Sequence, residues 1–206
     1  MQSLVSELYD YYGSLPRMEL TAVLLAIGYL VLAIRQNIWC WLCAAISTAL
    51  YVYLFAAANL YMESLLNVFY FGMAIYGWLV WRRGRNDTEL PVTVWPIMVH
   101  IYAVATIFCL AAVSGFMLST YTNAAYPYVD SATTFAAIWS TFLVARKVLE
   151  NWWYWLVIDV LSIFIYWSRG LEATAVLFIV YVVLIPVGLI AWTRSYREDH
   201  PDALPA

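Results

Sequence analysis

Residues 151–168 read NWWYWLVIDVLSIFIYWS, with Asp159 in the middle of an apolar run. A carboxylate at the centre of a membrane helix costs about 2.5–3.5 kcal/mol on insertion scales, so it faces protein or a wet cavity and is by default a functional group. Helical spacing puts Trp152, Trp155, Asp159, Ser162 and Tyr166 on one stripe, opposite Val157, Leu161 and Ile165. A second stripe, Glu63, Asn67, Tyr70, Ala74 and Gly77, turns another carboxylate and an amide inward. Trp41, Thr48 and Tyr51 on one further segment, and Trp139, Thr141 and Phe142 on another, add rings and hydroxyls. This is binding chemistry: aromatic faces for a flat or cationic solute, and a few polar groups to orient it. Each residue also has a structural reading. Ser162 and Thr48 suit interhelical ties of about 0.6 kcal/mol each. Glu63 can cap a helix start, and Asp159 stands open between an interhelical tie and a substrate anchor.

The elements that must carry these groups follow from composition. Of 206 residues 65% are hydrophobic and 11% charged, and the mean hydropathy is +0.77, which places the chain among integral membrane proteins. A spanning helix needs about 20 apolar residues, because the hydrocarbon is about 30 Å thick and each residue rises 1.5 Å. Seven segments qualify: residues 19–34, 38–58, 62–81, 94–118, 131–144, 151–168 and 171–192. Arg35, Arg82, Arg83, Arg85, Arg146, Lys147, Arg194 and Arg197 fall on one side and only Arg17 and Arg169 on the other, so the positive-inside rule puts the N-terminus out and the C-terminus in. The first apolar run has neither a basic leader nor a small-residue cleavage site and is expected to stay. Residues 1–17 form an expected interfacial segment, and residues 194–206 a cytoplasmic tail.

An internal repeat divides the rest. NIWCWL (residues 37–42) matches NWWYWL (151–156), pairing Asn37 with Asn151, Trp39 with Trp153 and Trp41 with Trp155. Further on, YGWLVW (76–81) lies over VGLIAW (187–192) at an offset three residues shorter, a difference the hairpin AAANLY in the first half would absorb. The fold expected is all-α, seven helices in a 3+1+3 parallel repeat: residues 18–82, a linker helix with its loops over 83–129, and residues 130–193. In such proteins the substrate site lies at the repeat interface near the midplane. Trp78, Trp81 and Trp192 read as interfacial belt residues, and Pro186 beside Gly188 as a kink in the last helix.

Chemistry that would drive a reaction is missing. There is no G-x-x-x-x-G-K-[ST] loop and no H-E-x-x-H pair, and His100 and His200 are far apart. The sole lysine, Lys147, ends the fifth segment, so a retinal Schiff base in the last helix is excluded. Cys40, Cys43 and Cys109 lie in apolar runs as small hydrophobes, and C-x-x-C in CWLC lacks a βαβ setting. No enzyme activity, cofactor, metal or nucleic-acid partner is expected.

The stretch ARKVLENWWYWLVIDVLSIFIYWSRGLEATAVLF, the DSATT before it and LYMESLLNVFYFGMAIYGW in the first half resemble the PnuC family of bacterial vitamin transporters. The resemblance covers residues 20–192 and rests on D-x-x-T-T, A-R-K, E-N-W and W-x-x-x-D. It implies a 3+1+3 fold related to SWEET sugar transporters, facilitated diffusion of unphosphorylated vitamins with trapping by cytoplasmic kinases, and a homotrimer in membrane lipid. Its substrates include nicotinamide riboside, thiamine, riboflavin and deoxynucleosides. Nicotinamide riboside members commonly show Gln-Trp just before A-R-K, where this chain has Thr141 and Phe142. A ribose also needs several donors and acceptors, and the interior offers few. The leading expectation is therefore a multi-pass thiamine uniporter of the cell inner membrane. Its lining is Trp41, Tyr51, Asn67, Tyr70, Trp139, Thr141, Phe142, Trp152, Trp155 and Tyr166, with Glu63 and Asp159 as polar anchors. The alternatives are a nicotinamide riboside uniporter, a proton-coupled vitamin transporter, and a signalling or structural membrane protein.

Overall fold

The structure is a computed structural model that describes residues 2–57, 61–83, 90–122, 126–168 and 172–201, leaving the side chains of residues 2–16, 61–63, 166 and 172–174 outside the description. Among the described residues seven helices follow one another: α1 (Gln2–Ile34), α2 (Trp39–Ala57), α3 (Tyr61–Arg83), α4 (Ile97–Tyr121), α5 (Pro127–Ala145), α6 (Asn151–Ser168) and α7 (Glu172–Asp199). Two of them outrun their apolar cores. The backbone of residues 2–16 continues α1 as one rod, and α7 runs past Trp192 to an exposed Arg194–Glu198 ion pair of 2.9 Å.

Among the described residues five helices are long and apolar enough to cross a bilayer: α1 over Arg17–Ile34, α2, α3 over Ser64–Arg83, α4, and α7 over Ala175–Asp199. The described apolar part of α6, Asn151–Ile165, is shorter. α5 carries Asp130, Ser131, Thr133, Thr134, Ser140 and Thr141. It can be polar because Ser131, Ala137, Ser140, Thr141, Leu143, Val144 and Ala145 are buried against protein rather than lipid. α4 shows the opposite pattern, with Ile97, Met98, Ile101, Tyr102, Phe108, Val113, Phe116 and Met117 exposed, as a lipid-facing helix requires.

The chain divides into two compact units, Met1–Glu89 and Leu90–Ala206. In the first, α2 packs on both α1 and α3; in the second, α4 packs on α5, α5 on α6 and α6 on α7.

Local geometry of α1–α2–α3 recurs in α5–α6–α7 at a constant offset of 111 residues, that from Trp41 to Trp152. Gln36 and Lys147 both have positive φ, 54° and 50°, and each is the left-handed residue that ends its helix. Gln36 N–H donates to Ala33 C=O (3.0 Å) and Asn37 N–H to Leu32 C=O (2.9 Å); Lys147 N–H donates to Val144 C=O (3.0 Å) and Val148 N–H to Leu143 C=O (2.9 Å). This pair of bonds is the Schellman stop, which satisfies carbonyls that a helix end leaves open. One turn into the next helix, Trp41 stands edge-on to Trp81 (5.4 Å, 88°) and Trp152 edge-on to Trp192 (5.5 Å, 89°). Such ring pairs contribute about 0.5–1.5 kcal/mol beyond their buried area. Gly77 and Gly188 make room for them, since a Cβ on either would overlap the indole of Trp41 or Trp152.

Two expectations are corrected here. Trp41 is the counterpart of Trp152, not of Trp155, so the register of the first matched stretch is wrong by three residues and no difference in hairpin length has to be absorbed. Three residues is nearly one helical turn, so the slipped alignment keeps every tryptophan on its face and looks just as good in sequence. Trp81 (7% exposed) and Trp192 (0%) are core residues rather than belt residues. Trp78 is half-buried, edge-on to exposed Trp39 at 5.5 Å.

Within the first unit, buried Ser47 donates its hydroxyl to Ala22 C=O at 2.8 Å, tying α2 to α1. The Thr48 hydroxyl instead bonds Ala44 and Ala45 C=O of its own helix (2.8 and 3.2 Å). Ser47→Ala is expected to lose about 0.6 kcal/mol and to lower the thermal midpoint in detergent measurably, whereas Thr48→Ala should leave it within error.

Candidate functional site

α6 carries the densest part of the expected site. Asp159 is only 4% exposed, and among the described residues neither a cation nor a hydrogen-bond donor pairs with its carboxylate. Ile158 and Ser162 are buried beside it. Ile165 is buried too, so it joins the protein-facing side rather than the lipid-facing one, while Val157 (59%) and Leu161 (39%) are exposed as expected. Trp155, one turn before Asp159, is half-buried. Trp152 is buried with its ring over Gly188 and against Trp192, so its place is set by α7. Its indole N–H finds no acceptor among the described residues. The side chain of Tyr166 lies outside the described residues.

α5 supplies a second group in the same unit. Trp139 and Phe142 face each other at 5.7 Å, and a third ring, Trp95, meets each of them at 6.2 Å. Thr141 is buried and donates to Ala137 C=O (2.8 Å), which leaves the oxygen's two lone pairs as its remaining polar function. The sequence reading placed Trp95 in the fourth apolar segment, residues 94–118, and gave it no role; α4 begins only at Ile97, and Trp95 lies in the extended segment before it. Its supports were given no role either. Trp95 N–H points at both carboxylate oxygens of Glu150 (3.3 and 3.4 Å), His100 Nε2 is 3.9 Å from Glu150 Oε1, and His100 Nδ1 lies 3.1 Å from the Tyr154 hydroxyl. The available signal was the four-residue step from Glu150 to Tyr154, which puts both on one face of a helix start.

The first unit holds the remaining candidates. Trp41 is buried over Gly77, with Tyr29 5.9 Å away, and its indole N–H also has no acceptor among the described residues. Tyr51 stacks on Phe55 (5.4 Å, 18°). Asn67 and Tyr70 are half-buried on α3. Glu63 is on α3, but its side chain lies outside the described residues. The repeat makes the two units chemically unequal: Asp159 corresponds to Thr48 and Ser162 to Tyr51, so a carboxylate at this helix depth occurs in α6 and not in α2.

The arrangement can hold a flat solute against rings and offer one buried carboxyl group that has no partner among the described residues.

The chain is 28% identical over 209 aligned residues to the nicotinamide riboside transporter PnuC of Escherichia coli (strain K12), covering 89% of this chain and 86% of that protein. It is 23% identical to the riboflavin/roseoflavin transporter RibM of Streptomyces davaonensis, covering 89% and 88%. It is 26% identical to the nicotinamide riboside transporter PnuC of Neisseria mucosa, covering 77% and 65%. A crystal structure of the vitamin B3 transporter PnuC has the same fold, with a TM-score of 0.72 at 20% identity over 94% of this chain and 88% of that one. The protein is a multi-pass inner-membrane protein and not an enzyme. A family described as nicotinamide mononucleotide transporter matches residues 17–194, and with that match over most of its length the chain belongs to this family, the PnuC transporters.

Proposed function

We propose that the protein carries a vitamin B3 nucleoside, nicotinamide riboside, across the inner membrane by facilitated diffusion, with phosphorylation inside the cell trapping the product. Asp159 carries the reading. A carboxylate that is 4% exposed and has no partner among the described residues is expensive unless something else neutralises it. A pyridinium riboside brings that positive charge on a flat ring, which suits Trp155, Trp139 and Phe142 as well.

Thiamine, the leading expectation from the sequence, has the same charge and flatness, so Asp159 does not favour it. The names of the relatives weigh against it: two are nicotinamide riboside transporters and one a riboflavin transporter. The ribose hydroxyls would be met by Ser162 and the Thr141 oxygen. We further propose the 3+1+3 parallel repeat with the N-terminus out and the C-terminus in, supported by the recurring turn and ring geometry and by the placement of arginines. A homotrimer embedded in lipid is the assembly proposed from the family resemblance.

Purified protein in liposomes preloaded with unlabelled nicotinamide riboside is expected to accumulate labelled riboside by counterflow, and to do so far more slowly with thiamine or riboflavin as the pair. Thiamine exchange at the faster rate would reverse the substrate assignment. An imposed pH gradient should not drive uphill accumulation; if it does, transport is proton-coupled.

A further inference from the structure

The segment before α4 is tied to the α5–α6 turn by more than its own backbone demands. Thr93 N–H donates to Lys147 C=O (2.9 Å) and Leu149 N–H to Thr93 C=O (2.8 Å), an isolated parallel bridge centred on Thr93 and Val148. Val92 and Val148 beside it are fully buried. Two residues on, Trp95 N–H reaches the Glu150 carboxylate, whose side chain is 22% exposed, and His100 in the first turn of α4 stands between Glu150 and Tyr154. Pro96 opens α4 with no side-chain cap, so a carboxylate beside this N-terminus meets the positive end of the helix dipole. It also precedes Asn151, the first residue of α6, and its C=O accepts from Trp153 N–H (3.1 Å).

The internal repeat separates two explanations for this acid. At the equivalent place in the first half stands Trp39, exposed and edge-on to Trp78, yet the α1–α2 turn has the same Schellman bonds and the same left-handed residue. The turn therefore forms without a carboxylate. What differs in the second half is the incoming segment, and the ring at its end, Trp95, stands against Trp139 and Phe142.

We infer that Glu150 is a positioning residue for the α5 aromatic wall. By fixing the Trp95 backbone it sets the Trp95 ring against Trp139 and Phe142, and so sets how those rings are presented to a flat ligand. His100 steadies Glu150 and Tyr154 from α4. This rests on the proposed function for its transport readout but not for its structural one.

The test uses full-length protein in liposomes, with counterflow of nicotinamide riboside, and the same protein labelled with 5-fluorotryptophan. Glu150→Ala is expected to raise KM about five- to tenfold with a smaller change in maximal rate, because a part-buried N–H loses its charged acceptor. Glu150→Gln keeps an acceptor oxygen and should stay within about twofold of the parent. The fluorine resonances of Trp95, Trp139, or both, identified by Trp95→Phe and Trp139→Phe, should shift in Glu150→Ala and hold in Glu150→Gln. Should Glu150→Ala fail to insert, Glu150→Asp replaces it: the shorter acid retracts from Trp95, so the raised KM and shifted resonances are expected there. Unchanged KM and unchanged resonances in a folded Glu150→Ala or Glu150→Asp protein would overturn the inference. If the parent exchanges no vitamin, the function reading fails instead, and the fluorine shifts alone decide the role of Glu150.

Discussion

Asp159→Thr is expected to silence nicotinamide riboside exchange and, at the same time, to raise the thermal midpoint of the ligand-free protein. The carboxylate is 4% exposed with no partner among the described residues, and placing such a charge at a helix centre costs about 2.5–3.5 kcal/mol. Thr is the informative replacement because α2 carries Thr48 at the equivalent position, where the hydroxyl is satisfied by the carbonyls of Ala44 and Ala45. Binding should respond in the opposite direction. A hydrogen bond to a charged group contributes about 1.5–3 kcal/mol, so losing the carboxylate should weaken a cationic ligand by roughly ten- to a hundredfold. Asp159→Asn, which preserves shape, should weaken it similarly. The measurement is riboside-induced thermal stabilisation of detergent-purified protein, which reports binding to the folded state. An Asp159→Asn protein stabilised by the riboside as strongly as the parent would remove the anchor from the site.

The second large effect belongs to the glycine under each tryptophan. In Gly188→Ala the new Cβ would overlap the Trp152 indole, and that ring cannot swing aside because Trp192, fully buried, stands edge-on to it. Overpacking of this kind costs about 1–3 kcal/mol. It also moves Trp152, which sits one turn before Trp155 and two before Asp159, so exchange should fall more than the thermal midpoint alone implies. Gly77→Ala should destabilise in the same way through Trp41. Gly72, on the same helix as Gly77, is the control: nothing lies within 4 Å of its built Cβ, and Ala there should hold or raise stability, since Ala is the better helix former by about 0.8–1.0 kcal/mol. Equal losses at Gly72 and Gly77 would show that the tryptophan contact is not what the glycine serves.

Much of this protein was legible as one-dimensional pattern. Length and apolarity alone marked seven helical segments, because lipid obliges every backbone polar group to be satisfied within its own helix. A carboxylate inside such a segment had to face protein, and Asp159 does. The PnuC family was readable from the E-N-W and W-x-x-x-D spacings, since those residues hold fixed places along one rod.

What the pattern could not carry was anything set by another segment. Spacing along a helix repeats nearly every three to four residues, so it distinguished a tryptophan face but not the turn on it that meets a glycine. The packing of Trp41 on Gly77 and of Trp152 on Gly188 decided the true register and moved Trp81 and Trp192 from belt to core. Trp95, His100, Glu150 and Tyr154 converge only because an extended segment is bridged to a turn more than fifty residues later, and no local periodicity encodes such a bridge. Which segments become apolar helices was thus determined by the sequence itself, through the solvent it must satisfy; which face each residue takes and which ring meets which partner were decided by the tertiary structure, because close packing is a property of two surfaces together.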